Sequence, residues 1–186
     1  MSAAYAAALL LGADREEVLQ IMSTLHPVSG RFEFVRAADG TTAIVDYAHT
    51  PDALQNVIGT INEIRKKDQR LYVVVGCGGN RDATKRPEIA NIAVDGSDMA
   101  VLTSDNPRLE EPGAIIEQMK SGLEPGARYL AITDRREAIK AAVALARPGD
   151  IILVAGKGHE TYQDVGGVKH HFDDREEVRA AFGTVL

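Results

Sequence analysis

From residue 42 onward, short runs of consecutive apolar residues alternate with longer segments in which apolar residues recur at helical spacing. The apolar runs predict strands at 42–45, 71–75, 99–103, 129–132 and 151–155. The longer segments predict helices at about 52–66, 87–94, 112–121, 134–146 and 175–182. Apolar strands separated by helices are typical of a parallel sheet that is covered on both faces. We therefore expect an α/β fold with a mostly parallel sheet flanked by helices.

The chain begins with two predicted helices that precede this pattern. They span residues 3–11 and 14–25. Asp14 is in position to cap the second helix, and Glu17 occupies the capping-box position three residues later. We expect this helix to end at His26-Pro27, because proline cannot continue it.

A linker and a hairpin connect these helices to the alternating part of the chain. Residues 28–30 have the composition of a linker. Beyond them the spacing predicts a strand at 32–35, joined to the strand at 42–45 through the turn dipeptide Asp39-Gly40.

Composition limits the functional classes that the chain can belong to. Its 186 residues, 45% of them hydrophobic, suffice for one good core, and a net charge of −6 argues against a nucleic-acid surface. With Cys77 as its only cysteine the chain cannot form an internal disulfide, which favours a reducing, cytoplasmic location. The apolar stretch 1–11 lacks the basic region of a signal peptide. We expect small-molecule or protein partners, no nucleic acid and no membrane.

Polar loops follow four of the predicted strands. In a parallel sheet, ligands bind beyond the carboxyl ends of the strands, so these loops form the candidate site. They lie at 46–52, 76–82, 104–108 and 156–160. Neither glycine-containing loop matches GxGxxG or the Walker pattern, and Gly156-Lys157-Gly158 lacks the Ser or Thr that would hold magnesium. We therefore predict no complete nucleotide-hydrolysis site in this sequence.

These loops carry a family resemblance. Five motifs resemble the Mur ligase family in identity and order, at 30–33, 46–52, 76–82, 105–108 and 156–160. The resemblance implies enzymes of three domains: one for the UDP-sugar substrate, a central ATPase, and a carboxy-terminal Rossmann-like domain that receives the incoming amino acid. On this basis residues 1–27 are expected to be the tail of the ATPase domain, and residues 28–186 the Rossmann-like domain.

The resemblance also implies the reaction. It is an ATP-dependent and Mg²⁺-dependent ligation that adds meso-2,6-diaminopimelate to UDP-MurNAc-L-Ala-D-Glu through an acyl phosphate, in peptidoglycan precursor synthesis. The chain is expected to be a fragment without a complete set of catalytic residues. Alone it is expected to be inactive and to bind neither ATP nor Mg²⁺ stably.

The family motifs assign two sets of contacts and no metal ligand. The residues expected to contact meso-diaminopimelate are Arg81, Asp105, Asn106, Pro107, Arg108, Gly156 and Glu160. Those expected to contact ATP are Arg31, Asp46 and His49. The adjacent His170 and His171 would lie on opposite faces of a strand and could not share a metal ion.

Each assignment has a plainer structural alternative. Arg31 can cover the hairpin, Asp46 can belong to a helix cap, and His49 can be an ordinary loop histidine. Residues 105–107 can form a simple turn, and residues 157–160 can start a helix with an acid near its positive end. The functional alternatives are a stand-alone nucleotide-binding or amino-acid-binding module and an unrelated Rossmann-type enzyme.

Overall fold

The computed structural model describes residues 2–24 and 30–184. The helices in this part of the chain are α1 Ser2–Leu10, α2 Arg15–Thr24, α3 Pro51–Ile64, α4 Lys85–Asp95, α5 Pro112–Lys120, α6 Arg135–Leu145 and α7 Asp174–Thr184. The strands are β1 Glu33–Arg36, β2 Thr42–Asp46, β3 Leu71–Cys77, β4 Met99–Ser104, β5 Tyr129–Ala131, β6 Ile151–Ala155, β7 Tyr162–Val165 and β8 Val168–His171.

Six strands form one sheet in the order β1-β2-β6-β3-β4-β5. Strand β1 pairs with β2 in the antiparallel direction, and the other neighbours are parallel. The register places Val73 of β3 opposite Leu153 of β6 and Ala100 of β4. The prediction of a mostly parallel sheet flanked by helices is therefore confirmed, as is the hairpin at its edge.

The sequence explains why these elements form. All seven residues of β3 are buried, as expected for a strand with helices on both faces. Helix α3 begins where the Thr50 hydroxyl accepts a hydrogen bond from the Ala53 N–H at 3.3 Å, with Pro51 in the first turn. Its buried residues Leu54 and Ile61 recur at helical spacing and face the sheet.

A hydrophobic core lies on each face of the sheet. Helices α3, α4 and α5 cover one face, where Leu54, Ile89 and Ile115 belong to the same buried cluster. Helices α6 and α7 cover the other face through Ile139 and Val178. Because every crossover returns to the same end of the sheet, the loops after β2, β3, β4 and β6 converge at its carboxyl edge.

The first two helices stand apart from both cores. The cap on α2 is confirmed, since the Asp14 carboxylate accepts hydrogen bonds from the N–H groups of Glu16 and Glu17 at 2.9 and 3.0 Å. Leu10 and Leu11 are each 88% exposed. The predicted stop at residues 26–27 and most of the predicted linker lie outside the described residues. Within residues 2–24 and 30–184, no helix is long and apolar enough to cross a membrane.

Strands β7 and β8 form a hairpin that the sequence analysis missed. They pair in the antiparallel direction as a separate two-stranded sheet, with Gly166 and Gly167 at positive φ in the turn. A Gly-Gly dipeptide between two strand-like runs is a hairpin signal that could have revealed it. The hairpin is important for the site because it packs against the loop after β4.

Candidate functional site

A cleft of about 380 Å³ opens at the carboxyl edge of the sheet. The loops after β2, β3, β4 and β6 all contribute to it. The residues predicted from the sequence that line it are His49, Arg81, Asp105, Asn106, Arg108, Gly156 and Glu160. The tertiary structure thus brings together residues that are up to 111 positions apart, from 49 to 160.

The cleft carries ionisable groups of both signs. Its cationic side chains are Arg81, Lys85, Arg86 and Arg108, and its acidic ones are Asp82, Asp105 and Glu160. Arg81 is exposed and makes no hydrogen bond or ion pair to the described residues. A ligand that enters the cleft therefore meets a guanidinium group with unused donors.

Asp105 is the buried acid of the cleft. It is only 8% exposed, and within the described residues its carboxylate accepts no hydrogen bond. Burial raises the pKa of this carboxyl, and the charges of Arg135 and Lys157 oppose the rise. A buried carboxylate without a hydrogen-bond donor is costly, so Asp105 is suited to accept a donor from a bound molecule.

Behind the cleft wall, Lys157 joins Asn106 and Glu160. The lysine side chain is fully buried, and its Nζ donates to Asn106 Oδ1 at 3.1 Å and to Glu160 Oε2 at 3.2 Å. Asn106 Nδ2 donates to the same Glu160 oxygen at 2.8 Å. Residues 157–160 do not start a helix here. The sequence analysis gave Lys157 no role, although a lysine directly after a buried strand end is a signal that could have identified it.

Arg108 connects the loops after β3 and β4. Its Nη1 donates to the Gly79 carbonyl at 2.7 Å, and the Gly79 N–H donates to the Asn106 carbonyl at 2.9 Å. A Cβ at Gly79 would lie 1.9 Å from the carbonyl oxygen of Pro107, so only glycine permits this approach. Pro107 itself is buried and does not line the cleft.

The β7–β8 hairpin braces the loop at residues 105–108. Gln163 Nε2 donates to the Asp105 carbonyl at 2.7 Å, and the Asp164 N–H donates to Asn106 Oδ1 at 3.0 Å. The Arg108 N–H donates to the Asp164 carbonyl at 2.9 Å. Since Arg108 has φ of 53°, an unfavourable conformation for a side chain of this size, these bonds help to hold it.

Two further buried arginines support the site. Arg86, 2% exposed, donates to both oxygens of Glu110 at 2.8 and 2.9 Å and to the Gly78 carbonyl at 3.2 Å. The Arg86 bonds to the Glu110 carboxylate, together with one from the Asn80 N–H, lower the pKa of Glu110 to about 2. Arg86 therefore anchors the glycine loop from beneath.

The second buried arginine lies beneath the strand ends. Arg135 pairs with Asp174 through two bonds of 2.8 Å and donates to the Ala155 carbonyl at 3.0 Å. This pair ties α6 and α7 to the end of β6. The sequence analysis identified none of Arg86, Arg135 and Asp174 as part of the site.

The residues assigned to ATP lie at the β2 side of this edge. Asp46 accepts hydrogen bonds from the N–H groups of Phe32 and Ala48, both at 2.8 Å, one on each carboxylate oxygen. Each oxygen keeps a second lone pair for a ligand. Arg31 is exposed and makes no hydrogen bond or ion pair to the described residues, and neither Arg31 nor Asp46 lines the cleft.

His49 lies between the two groups of candidate residues. It lines the cleft, and its Nδ1 is 2.8 Å from the Tyr47 carbonyl. The ring of Tyr47 contacts the rings of His49 and His159, at centroid distances of 4.6 and 5.2 Å. Gly30 lies close to the backbone of His159, because a Cβ on Gly30 would be 2.1 Å from the backbone nitrogen of His159. The segment that carries Arg31 is therefore held against the loop after β6.

Cys77 lines the cleft, where its surroundings disfavour the thiolate form. Burial, with a further contribution from Asp105, raises the pKa of its thiol to about 12. Among residues 2–24 and 30–184, no group of three or more His, Cys, Asp or Glu side chains is arranged to hold a metal ion.

Comparison with known proteins identifies the family. Residues 30–158 match the model described as Mur ligase, glutamate ligase domain. The chain is 58% identical over 184 residues to a UDP-N-acetylmuramoyl-L-alanyl-D-glutamate--2,6-diaminopimelate ligase of Parabacteroides distasonis, and 50% identical over 179 residues to the protein of that name in Bacillus cereus. The matches cover 98% and 96% of this chain.

A solved structure of a ligase with the same name has the same fold. It superposes with a TM-score of 0.78 at 45% identity and covers 97% of this chain but 37% of its own length. Likewise, the chain spans 38% of the length of the Parabacteroides relative and 36% of the Bacillus one. Because the family model matches more than half of the sequence, this chain belongs to the Mur ligase family, in its glutamate ligase domain.

Proposed function

We propose that this chain forms the domain that receives the incoming amino acid in an ATP-dependent amide-bond ligase. The ligase adds meso-2,6-diaminopimelate to UDP-MurNAc-L-Ala-D-Glu during peptidoglycan precursor synthesis. Family membership and the names of relatives that are 50 to 58% identical support this reaction. The cytoplasmic location expected from the single cysteine is part of the same proposal.

The observation that carries the proposal is the pairing of opposite charges in the cleft. The distal end of meso-diaminopimelate bears a carboxylate and an ammonium group. Arg81 and Arg108 can donate to the carboxylate, and the buried Asp105 can accept from the ammonium group. Glu160 remains a candidate for the same ammonium through Oε1, since its Oε2 already accepts from Lys157 and Asn106.

The same charges explain discrimination against L-lysine. The distal end of lysine has the ammonium group but no carboxylate. Bound lysine would therefore shield Arg108 from water and leave the remaining N–H donors of Arg108 without an acceptor. Leaving a charged group unpaired on binding costs a few kcal/mol, and sites built on such polar contacts discriminate by roughly a thousandfold or more. We therefore propose that the cleft selects meso-diaminopimelate by its second carboxylate.

In the proposed reaction the chain acts mainly by positioning the amine. ATP converts the D-glutamyl carboxylate of the UDP-linked substrate to an acyl phosphate. The neutral amine nitrogen attacks the acyl carbon, the bond from carbon to the phosphate oxygen breaks, and the nitrogen loses a proton. Holding the amine against the acyl phosphate makes the attack effectively intramolecular. The cations of the cleft can also stabilise the charge that develops on phosphate.

ATP and Mg²⁺ belong to the proposal through the family. Arg31, Asp46 and His49 are proposed to contact ATP when the domains of the ligase close. The free donors of Arg31 suit a phosphate, and the remaining lone pairs of Asp46 suit ribose hydroxyls. The ring of Tyr47, which contacts the His49 ring, adds an apolar surface beside these residues.

The domain boundary after residue 27 is also part of the proposal. Residues 1–27 are proposed to belong to the neighbouring ATPase domain, and residues 28–186 to the amino-acid-binding domain. The large exposure of Leu10 and Leu11 supports this division, because these apolar side chains remain almost fully outside both cores.

Calorimetric titration of this chain with meso-diaminopimelate, and in parallel with L-lysine, tests the proposal. We expect selective binding of meso-diaminopimelate, which Arg108→Ala abolishes. Arg36→Ala is the matched control, because Arg36 is an exposed arginine on β1. Equal binding of lysine would refute the proposed selectivity. Absence of binding to either amino acid would contradict a complete amino-acid site on this chain.

A further inference from the structure

Lys157 is the buried charge next to the cleft that the proposed chemistry leaves without a role. Its side chain has no solvent exposure, although an ammonium group is expensive to remove from water. It does not line the cleft, yet it contacts two side chains that do, Asn106 and Glu160. A buried charge with these contacts acts on the cleft through its neighbours.

Lys157 helps to determine which way the Asn106 amide points. An asparagine side chain has one oxygen that accepts and one nitrogen that donates, and the surrounding groups decide its orientation. Asn106 Oδ1 receives two donors, Lys157 Nζ at 3.1 Å and the Asp164 N–H at 3.0 Å. Rotating the amide by 180° would place its NH₂ group against both of them. The oxygen is therefore occupied, and Asn106 can offer a ligand only an N–H donor.

Lys157 also sets the charge that Glu160 presents. Glu160 Oε2 accepts from Lys157 at 3.2 Å and from Asn106 Nδ2 at 2.8 Å, so this oxygen is occupied as well. Part of its negative charge is therefore offset within the protein, and only Oε1 remains open. The buried Asp105 accepts no hydrogen bond within the described residues, so both of its carboxylate oxygens are open.

We propose that Lys157 is a positioning residue of the amino-acid cleft, which fixes Asn106 as a donor toward the ligand carboxylate and holds Glu160 by its Oε2, so that only Oε1 is available to the ligand. The proposal rests on the function proposed for this cleft. Lys157 itself touches no substrate. In its absence, Asn106 Oδ1 would keep only the Asp164 N–H, so the amide would exchange between its two orientations more often, and Glu160 Oε2 would lose one of its two donors.

The first test observes Asn106 without any ligand. In ¹⁵N NMR spectra of the whole chain, the side-chain amide of Asn106 should give one sharp, slowly exchanging pair of signals. We expect Lys157→Met to broaden or double that pair, because the methionine keeps the length of the side chain but removes the charge. Lys140→Met is the matched control: it removes a lysine from another i,i+3 pair, with Glu137 at 2.9 Å, that is exposed on α6. It should leave the signals of Asn106 unchanged.

The second test measures meso-diaminopimelate binding by NMR titration. We expect Lys157→Met to weaken binding by about tenfold or more, the loss typical of a hydrogen bond to a charged group. In an Asn106→Ala background the same substitution should weaken binding by less than about twofold, because residues that act through one network are not additive. An equal loss in both backgrounds would show that Lys157 does not act on the ligand through Asn106, and would contradict the inference.

The two tests separate failure of this inference from failure of the proposed function. If Lys157→Met leaves the Asn106 amide signals as they are in the unsubstituted chain, the inference is overturned, whatever happens to binding. If the unsubstituted chain binds no meso-diaminopimelate, the proposed function fails, and the amide signals still decide the role of Lys157. Should Lys157→Met not fold, Lys157→Met combined with Glu160→Gln removes both charges, and the same release of Asn106 is expected.

Discussion

At the scale of single residues, the most consequential side chains are charged groups that folding removes from water. Arg135 and Asp174 form a bidentate ion pair in which neither side chain is exposed, while the next residue, Arg136, forms a bidentate pair with Glu177 and is 51% exposed. The two pairs join the same helices, α6 and α7. They differ in burial and in the bond that Arg135 also donates to the Ala155 carbonyl, so a comparison measures the energetic consequence of the buried arrangement.

We predict that Arg135→Met lowers the free energy of unfolding by about 3–5 kcal/mol, because it leaves Asp174 charged and buried without its partner. The same substitution at Arg136 should cost no more than about 1 kcal/mol, as expected for an exposed pair. Urea denaturation of both variants gives the comparison. Equal losses would mean that burial does not determine the contribution of the Arg135–Asp174 pair.

A second prediction concerns pH and Asp105. Burial raises the pKa of this carboxyl in the folded chain, so the folded state binds more protons than the unfolded state once the pH exceeds about 3.9. Stability is therefore lost as the pH rises from that value through the raised pKa. We predict that Asp105→Asn is more stable than the unsubstituted chain at pH 8, and that this advantage shrinks toward pH 4.

Thermal unfolding at the two pH values measures this difference. Asp98 provides a control of opposite sign, because hydrogen bonds from the Leu71 N–H and from Arg65 outweigh partial burial and lower the pKa of its carboxyl. Asp98→Asn should therefore destabilise the chain at neutral pH and lose its effect as the pH falls. If Asp105→Asn and Asp98→Asn shift the unfolding temperature in the same direction at pH 8, the raised pKa attributed to the Asp105 carboxyl is wrong.

At the scale of elements, the site depends on how closely its loops approach each other. The β7–β8 hairpin holds residues 105–108 through Gln163 and Asp164, and the glycine loop after β3 lies directly on Pro107. The hairpin is exposed over much of its surface, so it supports the site through these hydrogen bonds and not through a core of its own. An element peripheral to the sheet therefore helps to form the cleft.

Substitution of Gly79 tests this close approach. Gly79→Ala places a methyl group 1.9 Å from the Pro107 carbonyl oxygen, and we predict a loss of about 1–3 kcal/mol in unfolding free energy together with weaker meso-diaminopimelate binding. Gly59→Ala is the control, because Gly59 lies in α3 with open space around it. It should stabilise the chain by roughly 0.5–1 kcal/mol. Denaturant titration of each variant measures these changes in unfolding free energy. An unchanged midpoint for Gly79→Ala would contradict the close contact between Gly79 and the Pro107 carbonyl.

At the scale of the whole molecule, one sheet with a core on each face carries the site. Among the side chains of α1 and α2 that the structure describes, none belongs to either core cluster. The cleft lies at the carboxyl edge, where four loops meet, so the stability of the sheet and the geometry of the cleft are coupled through the strand ends. Arg135, which bonds to the end of β6, is one such connection.

We predict that removal of residues 1–27 changes the unfolding free energy of the remaining chain by less than about 1 kcal/mol, because a domain with its own core folds independently. Equilibrium denaturation of the full and shortened chains measures this directly, with meso-diaminopimelate binding as a second readout. A large loss of stability would place α1 and α2 within the same folding unit and refute the proposed boundary.

The sequence by itself determined the class of fold and which loops form the cleft. Continuous apolar strands such as β3 and β6 can only be buried on both faces, and helical spacing fixes which side of α3 faces the sheet. Because parallel strands end at one edge, the loops that carry His49, Arg108 and Glu160 had to converge. Seven of the ten residues proposed from the sequence line the cleft for that reason.

Only the tertiary structure decided how those residues are partnered. Arg135 and Arg136 are adjacent and chemically identical in sequence, yet packing buries one and exposes the other. Lys157 and Glu160 are three residues apart, but both became partners of Asn106, 51 and 54 positions away, only because the loops after β4 and β6 meet at the edge of the sheet. Local spacing determines which face of an element a side chain occupies. The partner it meets there depends on long-range packing, which no local pattern contains.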